Sequence, residues 1–390
     1  MKQWKWAAVA ASCAVVLAGC GGASDGSDTT PKTVAPSVKV FGDSIMDSGT
    51  FGYKFTIQSA DAANPFLIFP EVVAANFGAP KLCPFFNFNG TTFVPNASCT
   101  SFAVGGGRIN NLTNASSPGN ANPFSITYQM AVGSATLATT DLVIVDGGGN
   151  DLADLTGAYL GATTPAGVGT YMGLLGTLLP PATVSAIIGT PTATSMGTAA
   201  GAYAQALGTT LAGAVKTSIL AKGVTKVVVI NAPDITATPR FLAVLSGVAA
   251  AAGTAQRDAV QGAARAWTAA FNASLAAGLV GTGVQVFDLY NEGAKISATP
   301  AQFALTNVTT PACPKVAGGL DSVTGQASLS QPATVVACNS ASMSANIPVG
   351  ETSANWWKAY AYSDNFHPTP ALHQLIGQGI NLQLARAGWL

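Results

Sequence analysis

Val38-Lys39-Val40-Phe41-Gly42-Asp43-Ser44-Ile45 is the stretch on which the reading of this chain turns. Val38, Val40 and Phe41 are β-branched or aromatic and favour a buried strand. Gly42 lets the backbone turn sharply where that strand ends. In an open α/β sheet, functional groups collect outside the carboxyl ends of the strands, and Ser44 falls at such an end. Asp and Ser also cap helices well, so the octet alone is equally consistent with a plain strand-to-helix turn. The rest of the chain separates the two.

Further apolar runs follow the same plan. Asp141-Leu142-Val143-Ile144-Val145-Asp146 leads straight into Gly147-Gly148-Gly149-Asn150-Asp151, and Val227-Val228-Val229-Ile230 ends at Asn231-Ala232-Pro233. Val284 to Leu289 reads as another strand, and Ser101-Phe102-Ala103-Val104 as a short one entering Gly105-Gly106-Gly107-Arg108. Thr254 to Leu279 is helical, because Val260, Ala264, Trp267, Phe271 and Leu275 recur on one helix face. Pro65 to Phe77 is helix-like, with Gly78 as its stop. Strands alternating with helices predict a parallel sheet covered on both faces. Residues 80 to 100 read as a disulfide-pinned loop. Residues 156 to about 205, rich in Ala, Gly and Thr, read as a loosely helical insertion. Its position directly after Asn150 makes it a candidate wall for an acyl chain.

Lys2 and Lys5 followed by the apolar run Ala7 to Gly19 suit a secretory signal and are too short for a membrane-spanning helix. Residues 21 to 36 are Gly/Ser-rich and without periodicity, as a flexible tether is. The remainder, 37–390, is long enough for one α/β domain with an insertion. Seventeen basic residues balance 17 acidic ones, with no basic tract, which argues against nucleic acid as a partner. Of six cysteines, Cys13 leaves with the signal. Leu17-Ala18-Gly19-Cys20 resembles the lipobox of bacterial lipoproteins, which implies cleavage after residue 19 and acylation of Cys20. Gly21, by resemblance to sorting patterns, points to the outer membrane, with the leaflet open. Cys83, Cys99, Cys313 and Cys338 remain, an even number in an oxidising compartment. Three connectivities are possible, of which Cys83–Cys99 with Cys313–Cys338 is the simplest. A zinc site is disfavoured, as the chain has no paired C-x-x-C and two histidines.

A serine hydroxyl needs a base within hydrogen-bond reach, and the base needs a third group to orient it. The two histidines differ in setting. His367 lies in Ser363-Asp364-Asn365-Phe366-His367-Pro368-Thr369, where Pro368 keeps it out of a helix and Asp364 is able to fold back onto it. His373 lies in the periodic stretch Thr369 to Leu384 and reads as an ordinary helix residue. Glycine runs at strand ends allow close backbone N–H approach to a developing oxyanion. Asn150 offers a side-chain N–H.

Taken in order, these blocks resemble the SGNH, or GDSL, hydrolase superfamily over nearly all of 37–390. Phe41-Gly42-Asp43-Ser44 matches the nucleophile block, with Ile45 where Leu is usual. Phe102-Ala103-Val104-Gly105-Gly106 matches the second block, with Ser101 where relatives often have Asn. Gly148-Gly149-Asn150-Asp151 and Asp364-x-x-His367 match the third and last. Asp288-Leu289-Tyr290, and Pro300 to Cys313 with Phe303 and Asn307, resemble the lecithinase/haemolysin-like bacterial branch. The resemblance implies a three-layer α/β/α flavodoxin-like fold with a mainly parallel sheet. It implies carboxylic ester hydrolysis through an acyl-enzyme on Ser44, with His367 as base and Asp364 as its orienter. The implied oxyanion donors are the N–H groups of Ser44 and Gly106, with Gly105 the alternative to Gly106, and the Asn150 amide. It requires no cofactor or metal. The expected partners are an ester or lipid substrate and a membrane held through Cys20. The same triad would also serve an acyltransferase or a carbohydrate acetylesterase, and the fold would serve a non-catalytic surface binding protein.

Overall fold

The computed structural model describes residues 35–114 and 116–390. The expected signal segment, Cys20 and all but the last two tether residues lie outside them. Ala35 is already buried, and its N–H donates to the Phe77 carbonyl at 3.3 Å. Core packing therefore starts two residues before residue 37.

The strands, in chain order, are β1 (Val38–Phe41), β2 (Phe86–Phe88), β3 (Phe93–Pro95), β4 (Leu142–Val145), β5 (Lys226–Ile230), β6 (Gln285–Phe287), β7 (Asn307–Pro311) and β8 (Tyr360–Tyr362). The central sheet has the order β1-β4-β5-β6, every pair parallel, with Phe41 opposite Val145 and Val145 opposite Val229. Side chains of a strand alternate between faces, and the core divides accordingly. Phe41, Val143, Val145, Val227 and Val229 pack on one face with the helices Ile126–Gly133, Gly149–Gly161, Ala193–Ala214 and Thr254–Leu279. Val38, Val40, Leu142, Ile144, Val228 and Ile230 pack on the other with Phe69–Asn76, Leu289–Ala298 and Pro370–Arg386. This is the expected three-layer α/β/α architecture. Among the described residues no helix is long and apolar enough to cross a membrane.

Several local expectations change. Ser101–Val104 is not a full strand. Val40 bonds to Thr100 and Phe102, and Gly42 accepts from Val104, before the segment turns away. The disulfides are as expected, Cys83 bonded to Cys99 and Cys313 to Cys338, and the pinned loop 80–100 in addition holds the β2–β3 hairpin. Residues 156–205 are not loose. They complete the helix Gly149–Gly161, form Pro165–Gly176 and Pro181–Ile188, and begin Ala193–Ala214. Tyr171, Leu175, Val184 and Ile188 bury them in the core.

His373 is fully buried in the helix Pro370–Arg386, where its Nδ1 accepts the Phe69 N–H at 3.3 Å. That N–H opens the helix Phe69–Asn76 and would otherwise lack an intrahelical partner. Burial, helped by the neighbouring His367 and Lys54, pushes the His373 pKa down to about 3. A base that stays neutral when folded but protonates when unfolded costs stability as pH falls from 6.5 towards 3, by up to about 1.4 kcal/mol per pH unit. Asp47 and Asp151, pushed up to about 6 by burial against opposing N–H bonds, act in the opposite direction. Urea melts of parent and His373→Gln isolate the histidine. The gap between the two curves should narrow from pH 7 to pH 5.

Candidate active site

The end of β1 is held on every side. Gln129, fully buried, accepts the Gly42 N–H at 2.9 Å and donates to the Gly42 carbonyl at 3.0 Å. A side chain at residue 42 would collide with the Asp146 carboxyl, so the position admits glycine alone. The Asp43 N–H donates to Asp146 Oδ1 at 3.0 Å, and Asp43 Oδ1 accepts the Ile45 N–H at 3.1 Å. Burial pushes both carboxyls up, Asp146 well above the carboxylate range, with Asp43 beside it adding to the effect. Ser44 emerges from this turn, 4% exposed.

The turn faces the loop after β8. His367 Nε2 lies 2.9 Å from Ser44 Oγ, and His367 Nδ1 lies 2.9 Å from both Asp364 oxygens. Asp364 is fully buried and accepts the N–H groups of Phe366 (2.9 Å), His367 (2.7 Å) and Leu329 (2.5 Å). Burial alone would raise its pKa. The His367 imidazole and the Leu329 and Phe366 N–H groups outweigh burial and hold the carboxyl below its ordinary value. The Phe55 ring, centred 4.9 Å from the imidazole, supports it from the side. The Thr56 hydroxyl donates to the Pro368 carbonyl at 2.9 Å, and Thr369 accepts the Leu372 N–H and starts the C-terminal helix just past His367.

The glycine run Gly105–Gly107 packs against the same turn. The Gly105 N–H donates to Asp47 Oδ2 at 2.8 Å and the Gly107 N–H to the Val104 carbonyl at 3.0 Å. Among the described residues the Gly106 and Ser44 N–H groups have no acceptor. Gly106 has φ +80°, a left-handed conformation that glycine adopts freely. Arg108 donates to the Gly106 carbonyl at 2.7 Å and is itself clasped by Asp154 at 2.7 Å. Asp151 accepts the Ile109 and Asn110 N–H groups. The Asn150 amide donates to the Gly107 carbonyl at 3.0 Å and, more weakly, to Asp43 Oδ2 at 3.3 Å. Ser44, Asp364, His367, Gly106 and Asn150 are thus brought together, whereas the Gly105 N–H is committed elsewhere.

An apolar cavity runs beside this site. Asp43 and Ile45 border it on either side of Ser44 in sequence, and Phe366 and Pro368 on either side of His367. Ala232, Ile235, Leu289, Gly293 and Ile296 also line it. No residue of 156–205 lines it. Among the described residues no group of three or more His, Cys, Asp or Glu is arranged to hold a metal. Sequence reading missed Gln129, Asp47, Arg108 and the Leu329 N–H. Asp47 alone had a local signal, since Asp two residues before Gly49 predicts a side-chain-closed turn.

Residues 38–380 match the family described as GDSL-like Lipase/Acylhydrolase. No curated protein matches the chain.

Leu329 reaches Asp364 from within the loop that Cys313–Cys338 closes, and the Cys313 N–H donates to the Ser363 carbonyl at 2.7 Å. Replacing both cysteines by Ser should lower thermal stability, by about 3 kcal/mol in the chain-entropy view, and also kcat. The Cys83/Cys99 double variant should lose stability with a smaller loss of kcat. Equal kcat losses per folded molecule would contradict this assignment.

Proposed function

We propose that this chain, which belongs to the GDSL-like lipase/acylhydrolase family and is an esterase-type hydrolase, cleaves carboxylic esters through an acyl-enzyme on Ser44. The observation that carries the reading is the continuous hydrogen-bonded line from Ser44 Oγ through the His367 ring to a buried, N–H-clamped Asp364. Ser44 Oγ attacks the ester carbonyl carbon as His367 Nε2 takes its proton. Asp364 holds the imidazole by Nδ1 and stabilises the imidazolium. The carbonyl oxygen, now an anion, is met by the unengaged N–H groups of Ser44 and Gly106. The 3.3 Å bond from Asn150 to Asp43 is the weaker of the two that its amide makes, and it is the one an oxyanion displaces. Collapse breaks the bond to the alcohol oxygen, which receives the proton from His367. Water, deprotonated by the same nitrogen, then releases the acid and restores Ser44.

The apolar cavity beside Ile45 and Phe366 supports an acyl chain of more than two carbons as the preferred group. The two disulfides support an oxidising, exported setting, and with Leu17-Ala18-Gly19-Cys20 they support an envelope lipoprotein anchored at Cys20. Labelled fatty acid should enter the parent chain and not Cys20→Ser.

Ser44→Ala and His367→Ala should each abolish nearly all hydrolysis of nitrophenyl esters. Asn150→Ala should lower kcat roughly 10²–10³-fold with little change in KM, the signature of a lost oxyanion donor. An Asn150→Ala enzyme that melts normally and keeps near-parental kcat would exclude that role. Gly293→Leu tests the cavity, because Gly293 lines this space and a Cβ added there meets no atom within 4 Å. It should leave acetate ester cleavage near parental and depress octanoate cleavage by roughly 10-fold or more. An unchanged chain-length profile would place the acyl group elsewhere.

A further inference from the structure

We propose that Asp47 is a positioning residue for the oxyanion-binding turn: its buried carboxylate fixes Gly105 so that the neighbouring Gly106 N–H stays unengaged and available to substrate. The inference rests on the reading of Ser44 as an ester-cleaving nucleophile and assigns a role to a residue outside the triad and the oxyanion donors. Asp47 is fully buried three residues after Ser44. One of its oxygens accepts the Gly49 N–H at 2.9 Å and the Thr50 N–H at 2.7 Å, which closes the loop that follows the nucleophile. The other reaches 58 residues along the chain to the Gly105 N–H at 2.8 Å. The Thr50 hydroxyl adds a second strap between the same segments, donating to the Ala103 carbonyl at 3.2 Å.

Gly105, Gly106 and Gly107 have no side chains with which to orient their own peptides, and glycine has the widest backbone freedom. Their orientation comes from outside. Val104 takes the Gly107 N–H, Arg108 holds the Gly106 carbonyl, and the Asn150 amide holds the Gly107 carbonyl. The peptide between Gly105 and Gly106, which carries the free N–H, is anchored on its other side by Asp47. Three donors converging on one buried group call for an acceptor-only fork, and an ionised carboxylate offers about four lone-pair sites without an N–H or O–H of its own. An amide in its place has one acceptor oxygen and turns an NH₂ towards a backbone N–H.

The experiment uses the full chain with Asp47→Asn, the smaller Asp47→Ser and a control, Asp61→Asn. Asp61 closes a similar turn, accepting the Ala63 N–H at 3.0 Å, but on the exposed surface. A nitrophenyl phosphonate that phosphonylates Ser44 counts competent sites. Kinetics on nitrophenyl esters are then expressed per competent site, and inhibition by a trifluoromethyl ketone, which forms a tetrahedral oxyanion adduct, is measured alongside. The expected result for Asp47→Asn or Asp47→Ser is kcat per site down by about 10-fold or more, KM within about 2-fold, and ketone affinity down in parallel. Asp61→Asn should match the parent throughout. Parental kcat per site and parental ketone affinity would overturn the proposal, whatever the melting temperature. Fewer competent sites, each of parental kcat, would also overturn it, as would loss of soluble protein in both Asp47 variants but not in Asp61→Asn. An inactive parent would instead remove the ester-hydrolase reading itself.

Discussion

The parallel pairing of β1 with β4 sets the geometry of this site. Phe41 lies opposite Val145, and the ladder continues past both strands, with the Asp146 N–H on the Phe41 carbonyl and the Asp43 N–H on the Asp146 side chain. The carboxyl thereby substitutes for a backbone acceptor where the strands diverge. Two segments far apart in sequence, one carrying Ser44 and the other Asn150, must leave the sheet side by side. A one-residue slip would send Phe41 and Val145 to the opposite face and break the division of the core into two layers.

Around that junction the fold uses buried carboxylates as connectors between loops. Asp47, Asp151 and Asp364 each accept two or more backbone N–H groups. Burying such a group is costly unless its lone pairs are occupied, and loops have donors to spare where no regular ladder exists. Each carboxylate therefore rigidifies segments that contain many glycines. The price is titration: burial has moved Asp47 and Asp151 up to about 6. Asp364 is different because the His367 ring and its N–H donors more than offset burial.

The parts legible in the sequence were those whose chemistry is local. The four central strands are continuous or nearly continuous apolar runs, and the face Val260-Ala264-Trp267-Phe271-Leu275 is buried throughout. Asp364 and His367 were readable because they share one short loop and Pro368 bars a helix there. Gln129 was not, since its partner Gly42 is 87 residues away and a lone glutamine in an apolar helix has no sequence signature. The link from Asp47 to Gly105 was hidden for the same reason. The segment 156–205 was readable as helical but not as core, because small residues blur helical periodicity, although Tyr171 and Leu175 are four apart and both fully buried.

Ser44 and His367 stand 323 positions apart. A polypeptide made from its N-terminus carries Ser44 long before His367 exists. The other histidine, locked against Phe69 inside the helical layer, cannot deputise. The loop that carries His367 is itself held by the Leu329 N–H on Asp364 and runs into the helix Pro370–Arg386. On the reading proposed above, a chain without this segment lacks both His367 and the N–H that holds Asp364, and would not cleave esters. Under that reading, hydrolysis also reports that the segment carrying Asp364 and His367 has docked onto the sheet end that carries Ser44.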